Sequence, residues 1–501
     1  MIYDLAIIGG GINGCGIAAE AATRGLSVIL CEQNDLGCST SSASSKLIHG
    51  GLRYLEHYDF GLVRGSLRER SILHKIAPHL VRPMRFILPY HPDQRPAWMI
   101  RLGLWLYDLL AYHPNSPWPR SRAIPLEPPF QKGFAYYDCV VDDARLVIAN
   151  ALQAQQAGAT LLTQTRCTQA KVIHGLWQLD VQANNSPDSF TVQAKACVNA
   201  TGPFAQQVTE EVCQVPSDYA LRLVKGSHIV VPRLAIHQEA CAYLLQNTDG
   251  RIVFVIPYLE KFTLIGTTDV AFQGDLQHVQ IAPEEIAYLL ALVNRYWNLE
   301  LTQDKIVTTW SGVRPLVNDK RSSLSAINRD YKLELITHAG APFLNILGGK
   351  LTTYRSLSEK AINLLKPFFP HCTSSLSASA LLPGGEIPNG NISLFVKNLR
   401  QQHPFLSQTL CERYVAYYGS RTPRLLENIS QLSDLGENFG EEFYAHEIKY
   451  LIKYEWAKNL NDILWRRTKM GLFLSETQKN KVGDFLKTLL ATSGTPEATK
   501  S

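Results

Sequence analysis

The sequence predicts an α/β fold on a parallel sheet, with a second, mainly antiparallel sheet inserted into it and a helical region toward the C-terminus. Three observations carry this expectation. The first residues read strand, glycine turn, helix, strand; runs rich in Val, Ile and Phe cluster between Leu221 and Thr268; and beyond about residue 380 long amphipathic helical patterns replace strands. The chain has 501 residues, 46% hydrophobic and 19% charged, enough to bury a sizeable core in two or more domains.

Taken in order, Tyr3 to Ile8 is a short apolar run ending in glycine. Gly9, Gly11 and Gly14 then form G-x-G-x-x-G, an Ala-rich helical segment runs to Gly25, and a second apolar run, Leu26 to Cys31, ends at Glu32. Glycines at this spacing turn the chain sharply and let backbone approach a pyrophosphate, while the helix N-terminus offers N–H groups and a positive dipole end. An acid about twenty residues past the turn accepts from ribose hydroxyls and repels a 2'-phosphate. By itself this unit fits a nicotinamide or a flavin dinucleotide.

A small-residue stretch from Cys38 leads into a helix-like segment, and Arg64 to Arg85 is rich in Arg, Lys and His. Pro114 to Phe130 is Pro-rich and reads as a loop or lid. Asp142 and Asp143 cap a helix that stops at Gly158 before a strand. Lys195 to Ala205 is an apolar run ending in Ala-Thr-Gly. SHIVVP, RIVFVIP and FTLIGTTD belong to the second sheet, WSGVRPL and INRDY bracket a polar turn, and LNILGGKLTTYRSLSEKAINLL is again strand, Gly-rich turn and helix.

The net charge of +5 suits an anionic substrate, an anionic membrane surface or nucleic acid, and selects none of them. The ten cysteines include no C-x-x-C pair, and no His cluster has ligand spacing, so no metal site and no paired-thiol centre is expected; reduced, buried thiols are. Acids nearly balance bases in the C-terminal region, which argues against nucleic acid as a partner. Residues 1 to 10 lack a charged leader pattern and are needed for the first strand, so a cytoplasmic protein is expected. No apolar run reaches the roughly 18 residues of a spanning helix. The nearest, Trp98 to His113, is interrupted by Arg101 and Asp108.

Glycine turns recur at Ala200-Thr201-Gly202 and Gly348-Gly349-Lys350, each ending an apolar run, the last opening a helix. One long ligand touching several strand ends requires that arrangement, so the three turns together favour FAD. The first turn would take the pyrophosphate, and the last would face the flavin ring, where N–H groups stabilise negative charge at its reduced edge. No attachment motif marks a His or Cys, so the FAD is expected to be noncovalent.

GGGINGCGIAAEAATRGLSVILCE, SSASSKLIHGGLRYLEH, NATGP, KGSHIVVP, GTTD, SGVRPL, GGKLTTYR and LWRRTKMGLFL follow one another over nearly the whole chain. In them the sequence resembles the aerobic, FAD-dependent glycerol-3-phosphate dehydrogenase family. The resemblance implies a Rossmann-like FAD-binding domain with an inserted mainly antiparallel substrate-binding sheet, the insert being approximately residues 80–140 and 205–320 of a 1–383 oxidoreductase domain. A C-terminal α-helical domain, 384–501, follows. The implied reaction is oxidation of sn-glycerol 3-phosphate to dihydroxyacetone phosphate, with electrons passing through FAD to membrane quinone at the inner face of the cytoplasmic membrane; a homodimer is compatible with it.

By this resemblance FAD would be held by Gly9, Gly11, Asn13, Gly14, Glu32, Ser44, Ser45, Lys46, Ala200, Thr201, Gly202, Gly349, Lys350, Leu351 and Thr352. Arg314 and Arg329 would clamp the substrate phosphate, since a planar guanidinium can donate two parallel bonds to it. Arg53 and Tyr54 would line the same cavity, and Asp269 would cap or pair with one of the arginines. Removing the hydroxyl proton needs a base; His49 is the first candidate and His228 the second. Lys350 and Arg314 would complete the catalytic set by adding positive charge near ring and substrate. Residues 64 to 113 join basic side chains to Trp98, Trp105, Tyr107 and Tyr112, which suits an interfacial membrane contact; a core helix beside a solvated basic face fits the same residues. An FAD-dependent amine or amino-acid oxidase of the same architecture, and a flavin-dependent RNA-modifying protein, are the alternatives.

Overall fold

The computed structural model describes residues 1–90, 96–111, 120–125, 130, 132–184, 189–236, 240–247, 249–319 and 331–492. The chain forms two compact units, one of Met1–Ile76 with Val81–Ala380, the other of Ala77–Leu80 with Leu381–Ser501.

The first unit holds two sheets. In the eight-stranded one, the order Lys332–His338, Ala341–Leu347, Ser189–Asn199, Ile2–Ile8, Val28–Cys31, Thr160–Leu162 is parallel from Ala341–Leu347 onward. Two of its strands are buried from end to end, every residue of Ala341–Leu347 and Val28–Cys31, as a sheet covered on both faces requires. The Ala-rich helix Ile12–Thr23 packs against helices Asp143–Gln156 and Tyr354–Leu365. Its small residues permit close approach: a Cβ on Gly16 would lie 2.8 Å from Tyr354 Cδ2. A hairpin, Thr165–Ile173 with Leu176–Ala183, extends the sheet antiparallel, and its Trp177 is fully buried, Nε1 donating to the Pro342 carbonyl at 2.9 Å. Asp142 caps the Asp143–Gln156 helix by accepting from Arg145 N at 3.0 Å.

The ten-stranded sheet runs Val270–Ala271, Tyr219–Pro232, Phe262–Gly266, Ile252–Tyr258, Cys241–Gln246, Val81–Pro89, Lys132–Val141, Leu47–Ile48. Thr308–Asp319 and Arg122–Pro125 pair beside this path. All pairings are antiparallel except Cys241–Gln246 with Val81–Pro89. Leu289 and Val293 of helix Pro283–Trp297 pack with Ile229, Val231, Val253 and Val255 of the sheet. Leu47–Ile48 joins this sheet ahead of the expected 80–140 span. The Pro-rich stretch expected as a loop contributes an edge strand at Arg122–Pro125, where pairing to Lys132–Val141 satisfies its backbone; most of its remainder lies outside the described residues.

The second unit is built on helices Ile392–Gln402, Gln408–Tyr418, Ala445–Glu455 and Glu476–Thr492, with shorter helical turns in the connections that follow Tyr418 and Glu455. Tyr414, Tyr418, Phe443, Ile448 and Leu451 centre its core. Buried Glu447 is satisfied by both terminal nitrogens of Arg413 at 2.9 Å and by the Tyr418 hydroxyl at 2.7 Å, as a charge withdrawn from water must be. All ten cysteines are free; nine are buried, and Cys38 is half-buried. Among the described residues no helix is long and apolar enough to cross a membrane.

Candidate active site

The parallel register brings the three glycine turns together. Ile8 pairs with Asn199 and Cys31, and Asn199 with Asn345, so the turns after Ile8, Asn199 and Leu347 leave neighbouring strands at one edge of the sheet, with Glu32 after the fourth. Gly9 has φ +106°, and a Cβ there would lie 2.7 Å from the Ala200 carbonyl oxygen; a Cβ on Gly14 would lie 1.9 Å from that of Gly9. Only hydrogen fits at either place. Glu32 Oε2 accepts from Gly10 N at 2.6 Å, and Ser41 Oγ from Ile12 N at 3.0 Å, so both side chains brace the turn. Asn13 Nδ2 donates to the Gly348 carbonyl at 3.2 Å, tying the first turn to the last. Thr201 Oγ1 donates to Asn199 Oδ1 at 2.6 Å, which fixes the middle turn before Gly202.

These residues fit a dinucleotide. Among the described residues Asn13 Oδ1 and Lys350 Nζ are buried polar atoms without a hydrogen-bond partner, which a ligand along the strand ends would satisfy. The glycine cradle supplies the close backbone approach that a pyrophosphate needs.

The segment after Ser41 crosses between the sheets. Ser44 Oγ donates to Asp143 Oδ2 at 2.7 Å, and Lys46 Nζ pairs with Asp143 Oδ1 at 2.7 Å. The remaining polar groups of Lys46 engage Ser42, Ser44 and Val141, and its ammonium lies over Trp310. Expected among the cofactor ligands, Lys46 is thus built into the support of the segment. Asp143, read from the sequence only as a cap, is its anchor; the second acid of Asp142-Asp143 was the one available signal. Ser45 Oγ is 2.9 Å from His228 Nε2, and His228 stacks on Trp310. Burial, then Lys46 and Arg314, push the His228 imidazole down to about 3, so it is neutral at ordinary pH.

His49 is half-buried, its N–H donating to Thr352 Oγ1 at 3.3 Å and its ring edge-on to Phe254 at 6.1 Å. Burial lowers its pKa; Asp138 opposes this, while Lys350 and Arg70 add to it. The imidazole is thereby biased toward its neutral form, and the His49 backbone, not its ring, is tied to a turn of the nucleotide cradle. Lys350 Nζ stands 4.1 Å over the Tyr54 ring. Leu351–Thr353 is a single 3-10 turn ahead of the Tyr354–Leu365 helix, so it is this turn, not the helix proper, that follows the glycines.

Arg314 is half-exposed on the strand beside Val224. One nitrogen donates to the Thr268 carbonyl at 2.9 Å, and Asp269 Oδ1 is 3.7 Å away, an arginine partner as expected of that acid. A Cβ on Gly226 would lie 2.5 Å from the guanidinium, so the bare glycine of KGSH makes room for it. Arg329 and the side chain of Arg53 lie outside the described residues.

Residues 4–355 match the model of a family of FAD dependent oxidoreductases, and residues 375–495 that of the C-terminal domain of alpha-glycerophosphate oxidase. Fold, cradle and match define the class: an FAD-dependent oxidoreductase with an appended helical domain, FAD being its cofactor. An aerobic glycerol-3-phosphate dehydrogenase of Escherichia coli (strain K12) is 49% identical over 96% of this chain and 97% of its own. A D-erythritol 1-phosphate dehydrogenase of Brucella abortus (strain 2308) is 44% identical over 95% and 96%. The structure of the glycerol-3-phosphate dehydrogenase from Bacillus halodurans complexed with FAD superposes with a TM-score of 0.75 at 25% identity, covering 98% of this chain and 94% of that one. The chain belongs to the FAD-dependent glycerol-3-phosphate dehydrogenase family.

Proposed function

We propose that the protein oxidises sn-glycerol 3-phosphate at C2 to dihydroxyacetone phosphate and passes the electrons to a membrane quinone. The observation that supports this reading is the tie of the His49 backbone N–H to Thr352 Oγ1, in the turn that also carries the Lys350 ammonium, which stands over Tyr54 with no hydrogen-bond partner among the described residues. Gly9, Gly11, Asn13 and Gly14 would hold the FAD pyrophosphate, Glu32 a ribose, and Gly349 to Thr352 the ring edge. FAD held there would supply the two-electron acceptor for the hydride from C2.

The rest is done by side chains. Arg314, with Arg329, binds the phosphate and so fixes which carbon faces the ring, Arg53 and Tyr54 lining the same cavity. His49 accepts the C2 hydroxyl proton at an imidazole nitrogen as the carbonyl forms. Lys350, propped on Tyr54, stabilises negative charge developing on that oxygen.

Access to a quinone is supported by the helix Ala97–Leu110. It buries Leu104 and Tyr107 but presents Trp98 (64% exposed), Leu102, Trp105 (61%) and Leu109 to solvent. Exposed Arg64, Arg68 and Lys75 lie on the neighbouring helix Phe60–Ile76. An apolar, Trp-bearing face beside basic side chains suits attachment to the anionic inner face of the cytoplasmic membrane.

The test is anaerobic addition of glycerol 3-phosphate to the yellow holoprotein. The visible flavin band should bleach. An oxidised spectrum that bleaches instead with D-erythritol 1-phosphate or with an amino acid would replace this substrate assignment.

A further inference from the structure

We propose that Tyr107 is a positioning residue for the reaction: its hydroxyl, gripped by Asp138, fixes the peptide between His49 and Gly50 and with it the imidazole. This rests on the assignment of His49 as proton acceptor. The Tyr107 hydroxyl donates to Asp138, 2.8 Å from Oδ2 and 2.9 Å from Oδ1, and accepts from Gly50 N at 2.9 Å. Asp138 also takes Arg70 Nη1 at 2.7 Å, and the same nitrogen reaches the Tyr137 carbonyl at 2.6 Å. All three side chains are buried.

A buried ion pair with an attached hydroxyl is a poor device for stability alone, because its desolvation offsets most of its attraction and apolar packing does as well. What it supplies is direction: it holds one N–H, that of the residue following the base. The approach is built for that contact, since a Cβ on Gly50 would lie 2.6 Å from the Tyr107 hydroxyl and 2.6 Å from Leu67 Cδ2. On its other side His49 is tied by its own N–H to Thr352 Oγ1. The peptides flanking its Cα are therefore both fixed, and Phe254 walls the ring.

Tyr107 stays a neutral donor, because burial and the facing Asp138 raise its phenol far above the ordinary value. The charges that bear on His49 are Asp138 on strand Lys132–Val141, Arg70 on helix Phe60–Ile76 and Lys350 in the turn after Ala341–Leu347. Tyr107→Phe leaves all three in place and removes only the tether, so its effect reads geometry rather than charge.

The experiment is a double-mutant cycle on the FAD-loaded enzyme with a soluble dye as acceptor, rates being expressed per bound FAD. Tyr107→Phe should lower kcat about tenfold to a hundredfold, the scale of misplacing a reacting group, with KM for glycerol 3-phosphate within about twofold of the parent. In a His49→Ala background the same change should cost nothing further. A kcat within about twofold of the parent, alongside a slow His49→Ala enzyme, would overturn the positioning role and leave the base assignment standing. A loss confined to FAD content, or one that recurs undiminished in the His49→Ala background, would overturn it too. A fast His49→Ala enzyme would remove the base assignment and this inference together.

Discussion

Among the described residues a single nitrogen of the Arg314 fork meets the Thr268 carbonyl and the Asp269 carboxylate, and that economy is what suits the rest of the fork to an anion. If it clamps the substrate phosphate, Arg314→Ala should cost about 1.5 to 3 kcal/mol, or about tenfold to a hundredfold in kcat/KM, while FAD content is unchanged. Kinetics equal to the parent would remove the clamp. The arginine itself was legible from SGVRPL, but its anchor, the Thr268 carbonyl, was not, because a backbone acceptor leaves no mark in the side-chain pattern. Asp138 escaped notice for a related reason: nothing local to the Lys132–Val141 strand shows that Arg70 and Tyr107 converge on it from two helices. His228 was a candidate on chemistry alone, and the structure gives it a Ser45 partner and a ring stack that its neighbours in sequence could not have indicated.

Among elements, the strand–turn–helix units were the most legible, since glycine spacing and apolar runs are local properties with a direct steric meaning. Gly14→Ala tests the first of them: a methyl 1.9 Å from the Gly9 carbonyl oxygen must push helix from strand, which should cost about 3 kcal/mol and lower the FAD-to-protein ratio after gel filtration. Full FAD retention with an unchanged melting temperature would show that the turn relaxes freely. Two-residue Leu47–Ile48 was invisible because periodicity needs length. The Ala97–Leu110 helix was ambiguous between core and interface for the opposite reason: its sequence is apolar nearly all round, and only the packing says which side is covered. Trp98→Ser with Trp105→Ser should release the enzyme from anionic vesicles in pelleting assays and reduce long-chain quinone reduction, with dye-linked activity intact. Unchanged pelleting and quinone reduction would place membrane contact elsewhere.

At the scale of the molecule, the change from strands to amphipathic helices near residue 380 is the signal behind the expected helical domain, because fold class follows from which periodicity prevails over a long window. That Ala77–Leu80 belongs to this unit was not legible. Four residues taken from the middle of the other unit's sequence are a product of chain topology, and no composition shift marks them. The same limit hid the pairing of the two sheets' crossing segments, where Lys46 and Asp143 meet across 97 positions of sequence.

The distribution of thiols turns the molecule into its own recorder of breathing. Burial pushes Cys31 and Cys139 up to about 12, so neither is a thiolate at neutral pH nor open to reagent while its surroundings stay closed. An alkylating reagent then marks a cysteine only in the moments when its core opens, at a rate set by the local free energy of opening. Cys411 reports in this way for the helical unit and Cys31 for the parallel sheet, while half-buried Cys38, close behind Glu32, is open to reagent without such an opening and serves as the reference.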